Sequence, residues 1–442
     1  MRAAELPGIL RGRDFRRLYA TRLASQLTDG VFQVALAGYV FFSPERQTTA
    51  AKAAAAFAVT LLPYSALGPF AGVFIDRWQR RQILVWTPVL RALLVLAVAA
   101  LVAAGQDGPG FFIGVLTVLG VNRFFLAALS AALPHVVRRD HLVTANAFSV
   151  TSGTIIAFLG GGAGYLLRRV FGTGNYGTAL ILVAAAGMFL AAGVIATTLP
   201  RKLLGPHPSE DALPGAAGAG GARPEAPRIR ESLGTVVDGL VDGARHIARR
   251  PQAALALSAI SFHRFLYGIV LIMTLLLCRN HFADDPDTGL RTFAIMLGVS
   301  GAGYFTAALI TPPVVRRISK QAWVAWLLGA AALSLLAFGM PFAERPWAAG
   351  AFVLGVVSQG VKLCVDTTLQ ETIEDAYRGR VFAVYDMLFN AMFAAAAAAA
   401  ATWLPSDGSA SLTLLAVIAA YAAGAVVYRT AAARRRPAHA LR

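Results

Sequence analysis

Charge is scarce in this chain. Asp, Glu, Lys and Arg together make up 14% of its 442 residues, while 57% are hydrophobic. A soluble domain carries roughly 25% charged residues, so an ordinary soluble globule is excluded. Cysteine is nearly missing as well. Cys278 and Cys364 stand far apart in apolar runs, which leaves neither a disulfide framework nor a zinc spacing, and both read as small buried apolar residues. Also lacking are a nucleophile–base set, any metal-ligand spacing, a phosphate-binding glycine loop and a nucleotide-binding domain. The sequence therefore does not read as an enzyme, and ATP is not its energy source. Acidic residues are the scarcer sign, and net charge is +17. Taken alone, that excess suggests nucleic acid; its placement argues otherwise.

What the chain has in abundance is apolar runs. A helix that crosses a bilayer needs roughly 20 mainly apolar residues, and twelve stretches qualify: 18–42, 53–75, 82–104, 111–136, 143–167, 176–199, 253–278, 290–314, 321–341, 347–370, 380–403 and 410–429. The first is too long for a cleaved signal peptide and reads as an uncleaved span. The expected fold class is all-α integral membrane, with two six-helix halves: 1–200, a linker at 201–250, and 251–442 with its basic tail. The linker carries Pro206, Pro208, Pro214, Pro224 and Pro227 around a run of Gly and Ala, a flexible composition. Its last part, Ile229 to Arg250, places Leu233, Val236, Val237, Leu240 and Val241 on one face, as an interfacial helix does.

Lys and Arg placement sets the orientation. With the N-terminus inside, the cytoplasmic segments hold 28 of them and the outer segments seven. Both termini are expected in the cytoplasm of a multi-pass cell-membrane protein. The high net charge then faces the inner membrane surface and calls for no nucleic acid.

Between the second and third spans lies Gly72–Arg81, GVFIDRWQRR. Asp76, Arg77, Arg80 and Arg81 cannot lie in hydrocarbon, so they form a tight turn at the surface. The pattern Gly-x-x-x-Asp-Arg-x-x-Arg-Arg resembles the loop between helices 2 and 3 of major facilitator superfamily transporters. Three more stretches resemble the efflux branch that contains enterobactin-exporter-like and macrolide-efflux-like proteins: 13–30, 133–149 and 369–388, the last two at equivalent places in the two halves. Departures exist. Phe74 and Gln79 replace the usual Leu and Gly of the loop, and Gly161 and Tyr165 replace Pro and Gly in a stretch resembling the drug-exporter antiporter motif. Gly160 and Gly164 keep a GxxxG face for close helix packing. The resemblance implies a secondary active transporter working by alternating access, with Gly72, Asp76, Arg77, Arg80 and Arg81 as a conformational gate.

Charges inside spans are costly and mark function or pairing. Span 1 carries Arg22, Gln26, Asp29 and Gln33, at spacings that share one helical face. Span 4 has Asn122 and Arg123, span 7 has His263 and Arg264, and span 10 has Gln359, Lys362 and Asp366. In the superfamily these four helices line the central cavity, so these residues are candidates for the substrate or proton pathway. Asp29 reads either as a proton carrier or as the partner of an arginine. Lys362 and Asp366, four apart, are placed to satisfy each other. Arg123 and Arg264 have no acid within a turn. His263 is either a hydrogen-bonded packing residue or a proton-coupling one. Arg91 in span 3 is the exception, read as a structural ion pair or a snorkelling side chain. Without Arg91 the set is net positive, which points to an anionic substrate.

The expectation is thus a monomeric, proton-coupled exporter of a small amphipathic compound, with the lipid bilayer and a small-molecule substrate as its partners. No cofactor is expected beyond the proton gradient. Two alternatives stand: a lipid or lipid-precursor flippase, and a non-transporting membrane sensor or scaffold.

Overall fold

The computed structural model describes residues 6–42, 79–138, 141–200, 204 and 229–434. The expected second span, 53–75, lies outside them, as do Gly72, Asp76 and Arg77. The described residues form helices: α1 (Leu6–Arg11), α2 (Arg13–Val40), α3 (Arg80–Ala103), α4 (Pro109–Ala132), α5 (Leu142–Phe171), α6 (Asn175–Thr197), α7 (Ile229–Ala248), α8 (Pro251–Asn280), α9 (Pro286–Val315), α10 (Lys320–Ser334), α11 (Glu344–Thr372), α12 (Asp375–Trp403) and α13 (Ser411–Arg434). Ten are long and apolar enough to cross a membrane.

Local chemistry explains where the helices start. Pro109, Pro251 and Pro286 sit at the first helical positions of α4, α8 and α9, where a missing N–H costs nothing. Asp285 caps α9 by accepting from the backbone N–H of Asp287 at 3.0 Å and Thr288 at 2.9 Å. The bonds from Thr288 hold the Asp285 carboxyl below its ordinary range. Two features stand out against the apolar pattern. Span 1 starts at Arg13 rather than 18, because Asp14 and Arg17 pair at 3.2 Å, one turn apart, and continue the helix beyond the apolar run. The helix of span 9 widens into a π-turn at Leu335–Gly339.

α1 to α6 lie in one compact unit and α8 to α13 in another, with the boundary inside α7 at Val236 and Val237. In the first unit α3 packs along α4 and α6, and Phe15, Leu84, Phe125 and Leu129 bury themselves in a shared apolar cluster. α2 meets α5 through glycine: a Cβ at Gly160 would strike the Leu27 carbonyl, and one at Gly30 would strike the Ala157 carbonyl. In the second unit α9 lies along α11, α10 along α13, and α8 along α11 and α12. The pairing of span 3 with span 6 is thus repeated by span 9 with span 12.

Many large apolar side chains point outward along these helices, Trp86, Phe158, Phe305, Trp326 and Leu412 among them. Soluble monomers rarely expose continuous apolar surface of this kind, and acyl chains of a bilayer suit it. α7 rests on the end of α11 and the start of α12. Arg250, just after it, donates to the Thr372 carbonyl at 2.9 Å and pairs with Glu374, while His246 stacks on Tyr377 with ring centroids 4.2 Å apart. Val237 and Val241 stay exposed on its other side.

Candidate functional site

In the first unit the polar residues converge on one buried ion pair. Asp29 of α2 pairs with Arg91 of α3. Arg91 is fully buried. It also donates to Ser25 at 3.1 Å and lies 3.9 Å above the Phe189 ring of α6. Asn122 of α4 is buried beside the Asp29 carboxylate. Four helices therefore contribute to one cluster, in which each charge has a partner. That is how a buried pair offsets its desolvation cost. Of the two readings of Arg91, snorkelling is ruled out by its burial; it is an ion pair.

The rest of the expected span 1 face splits up. Arg22 is buried, donating to Gln26 at 3.1 Å and to Ser149 of α5 at 3.2 Å. Gln26 is half-buried and Gln33 is exposed. The four share a side of the helix but not an environment, because α3 closes over Asp29 and leaves Gln33 uncovered. Arg123 is half-buried, next to buried Asn122. The charge tally from the sequence also needs correcting: the counterion of Asp29 is Arg91, which that tally left out. With Arg91 included, the basic excess of the set grows.

In the second unit Lys362 and Asp366 bond to each other at 2.5 Å along α11, and Gln359 is half-buried one turn before them. His263 of α8 is fully buried, and its Nδ1 lies 3.1 Å from the Tyr421 hydroxyl of α13. Arg264 is half-buried with its guanidinium 3.9 Å from the Phe389 ring centroid and 4.8 Å from that of Phe393, both on α12. Sequence reasoning did not find these rings. Their spacing with Tyr385, at i, i+4 and i+8, is readable in the sequence, but the arginine they face is more than a hundred residues away.

Among the gate residues, Arg80 and Arg81 are described. Arg81 donates to the Leu199 carbonyl at 2.6 Å and the Thr197 carbonyl at 2.8 Å, at the end of α6. Arg80 contacts His135 and donates to the Leu204 carbonyl at 3.2 Å. A cation at a helix C-terminus satisfies orphan carbonyls and complements the dipole. Arg81→Ala should cost about 2 kcal/mol, read as a lower thermal unfolding temperature in detergent, and Arg81→Lys should recover part of it. An unchanged midpoint in the alanine variant would count against this capping role.

Residues 19–397 match the Major Facilitator Superfamily. The chain belongs to that superfamily. It is 37% identical over 424 residues to an MFS-type transporter of Mycobacterium tuberculosis and to one of Mycobacterium bovis, covering 96% of this chain and 92% of theirs. It is 24% identical over 191 residues to macrolide efflux protein A of Streptococcus pyogenes, covering 43% of this chain and 45% of that one. Among solved structures, the nucleoside transporter NupG superposes with a TM-score of 0.64 at 13% identity, over 96% of this chain and 100% of that one. The POT family transporter PepTSo gives 0.62 at 13% identity, over 96% and 98%. At such identity the likeness concerns the fold: all-α, twelve spans, two six-helix halves. A multi-pass membrane transporter, not an enzyme, is the class to which the chain belongs.

Proposed function

We propose that the chain exports a small amphipathic compound across the cell membrane, with protons as the coupling ion, by alternating access. Both termini lie in the cytoplasm, following the excess of Lys and Arg on that side. The observation that carries the proposal is the buried Asp29–Arg91 pair. A carboxylate held by one arginine in an apolar interior has two states. Ionised, it ties α2 to α3; protonated, it releases the arginine. Coupling a proton to a change in helix packing needs a group of this kind. The likeness to a macrolide efflux protein supports the outward direction. The loop bearing Asp76, Arg77, Arg80 and Arg81 acts as the gate, and no cofactor takes part beyond the proton gradient.

The test is transport in proteoliposomes with an imposed pH gradient, screening amphipathic compounds and starting from macrolides. The wild-type protein should move substrate faster as the gradient steepens. Asp29→Asn keeps a hydrogen-bond acceptor for Arg91 and should lose that response. A full gradient response in the variant rules Asp29 out as the carrier, and a wild-type rate indifferent to the gradient rules out proton coupling.

A further inference from the structure

Three buried or half-buried basic groups other than Arg264 have hydrogen-bonding protein partners. Arg91 has Asp29, Lys362 has Asp366, and Arg22 has Gln26 and Ser149. Arg264 is different. Among the described residues it forms no ion pair and no hydrogen bond, and its Nε is buried without a partner; the Nε of Arg91 is buried in the same way, but the other nitrogens of that guanidinium bond to Asp29 and Ser25.

Its surroundings explain how it tolerates this. The guanidinium lies 3.9 Å from the Phe389 ring centroid, 4.8 Å from Phe393 and 5.7 Å from Tyr267. Ring faces attract a cation and stack on the flat of a guanidinium. They cannot accept its in-plane N–H groups, which form a fork suited to a carboxylate. A half-buried arginine stacked on its faces, with no acceptor at its edge among the described residues, keeps that edge available to a carboxylate.

We infer that Arg264 anchors the carboxylate of an organic anion whose apolar, aromatic body lies against Phe389, Phe393 and Tyr267. The assignment rests on the transport reading and names the substrate class for it. Tyr385 links this site to the neutralised pair on α11: its ring lies 5.8 Å from Lys362 Nζ, and its centroid is 5.9 Å from that of Phe389. Lys362 and Asp366 thus border the aromatic patch without adding net charge. Among the described residues around the patch, Arg264 supplies the net positive charge.

The experiment compares binding of 2-naphthoate with that of uncharged 2-naphthalenemethanol to the purified full-length protein in detergent, by calorimetry and without a gradient. The wild-type protein should prefer the anion by at least about tenfold, the usual scale of a charge-assisted hydrogen bond. Arg264→Gln should erase the preference and leave alcohol binding in place, and Arg264→Lys should keep part of it. Should the glutamine variant fail to fold, the wild-type comparison still decides. A protein that binds no anion better than its uncharged counterpart overturns the assignment, whether or not the chain transports anything. Anion-selective binding in a protein that moves no substrate in proteoliposomes would instead overturn the transport reading and leave this one standing.

Discussion

Arg91→Met will lower stability by about 3–5 kcal/mol, the loss expected when one member of a buried ion pair is removed. The reason is the carboxylate left behind. Among the described residues Asp29 would keep no counterion, in a site closed by α2, α3, α4 and α6. The cost is an unneutralised buried charge rather than a lost contact. The double variant Asp29→Leu with Arg91→Met removes both charges and should regain most of the stability, since a buried pair is often no better than apolar residues of similar volume. The same double variant should have no proton response, so stability and coupling part company in one protein. The measurement is thermal unfolding in detergent at a fixed scan rate. A single variant within about 1 kcal/mol of the wild-type protein would show that the site relaxes or admits water.

The second large effect belongs to Gly160. A Cβ there would fall against the Leu27 carbonyl and its carbon, which are backbone atoms of α2. A flexible side chain can step aside; a helix backbone cannot. Gly160→Ala should therefore cost about 3 kcal/mol, at the upper end of overpacking effects. Gly164 is close behind, facing the Val31 backbone at 3.1 Å. The control lies two residues from Gly160: a Cβ at Gly162 meets nothing within 4 Å, so Gly162→Ala should be neutral or stabilising by up to about 1 kcal/mol from helix propensity. The yield of monodisperse protein and its unfolding midpoint check the pair. Equal behaviour of the two alanine variants would mean that α2 and α5 do not pack as closely as described. Pushing α2 away should also loosen the Asp29–Arg91 pair, since Gly30, next to Asp29, packs on the backbone of α5 at Ala157.

Much of the candidate site follows from local spacing. Lys362 and Asp366 are an i, i+4 pair on one helix, and their bond needs no knowledge of the fold. The close packing at Gly160 follows from a small-residue face, although the face alone does not name α2 as the partner. Arg91 shows the opposite case. Its sequence neighbourhood is apolar on both sides, so nothing local tells a snorkelling arginine from a paired one. Its partner is 62 residues away on another helix. Gln33 misleads for the same reason: periodicity puts it on the side of Asp29, but only the neighbouring helices decide which part of that side is covered.

By itself, then, the sequence determined the apolar runs long enough to cross a bilayer, the few ionisable groups placed among them, and the uneven placement of Lys and Arg between them. Each follows from composition and period, which act along one helix at a time. The tertiary structure decided which charges are neutralised. It joined Asp29 to Arg91, set Arg22 on Ser149, and stacked Arg264 on rings of α12 without giving it an acid. Those outcomes depend on which helices are neighbours. A 3.6-residue period states which face of a helix is polar, but not what that face will meet.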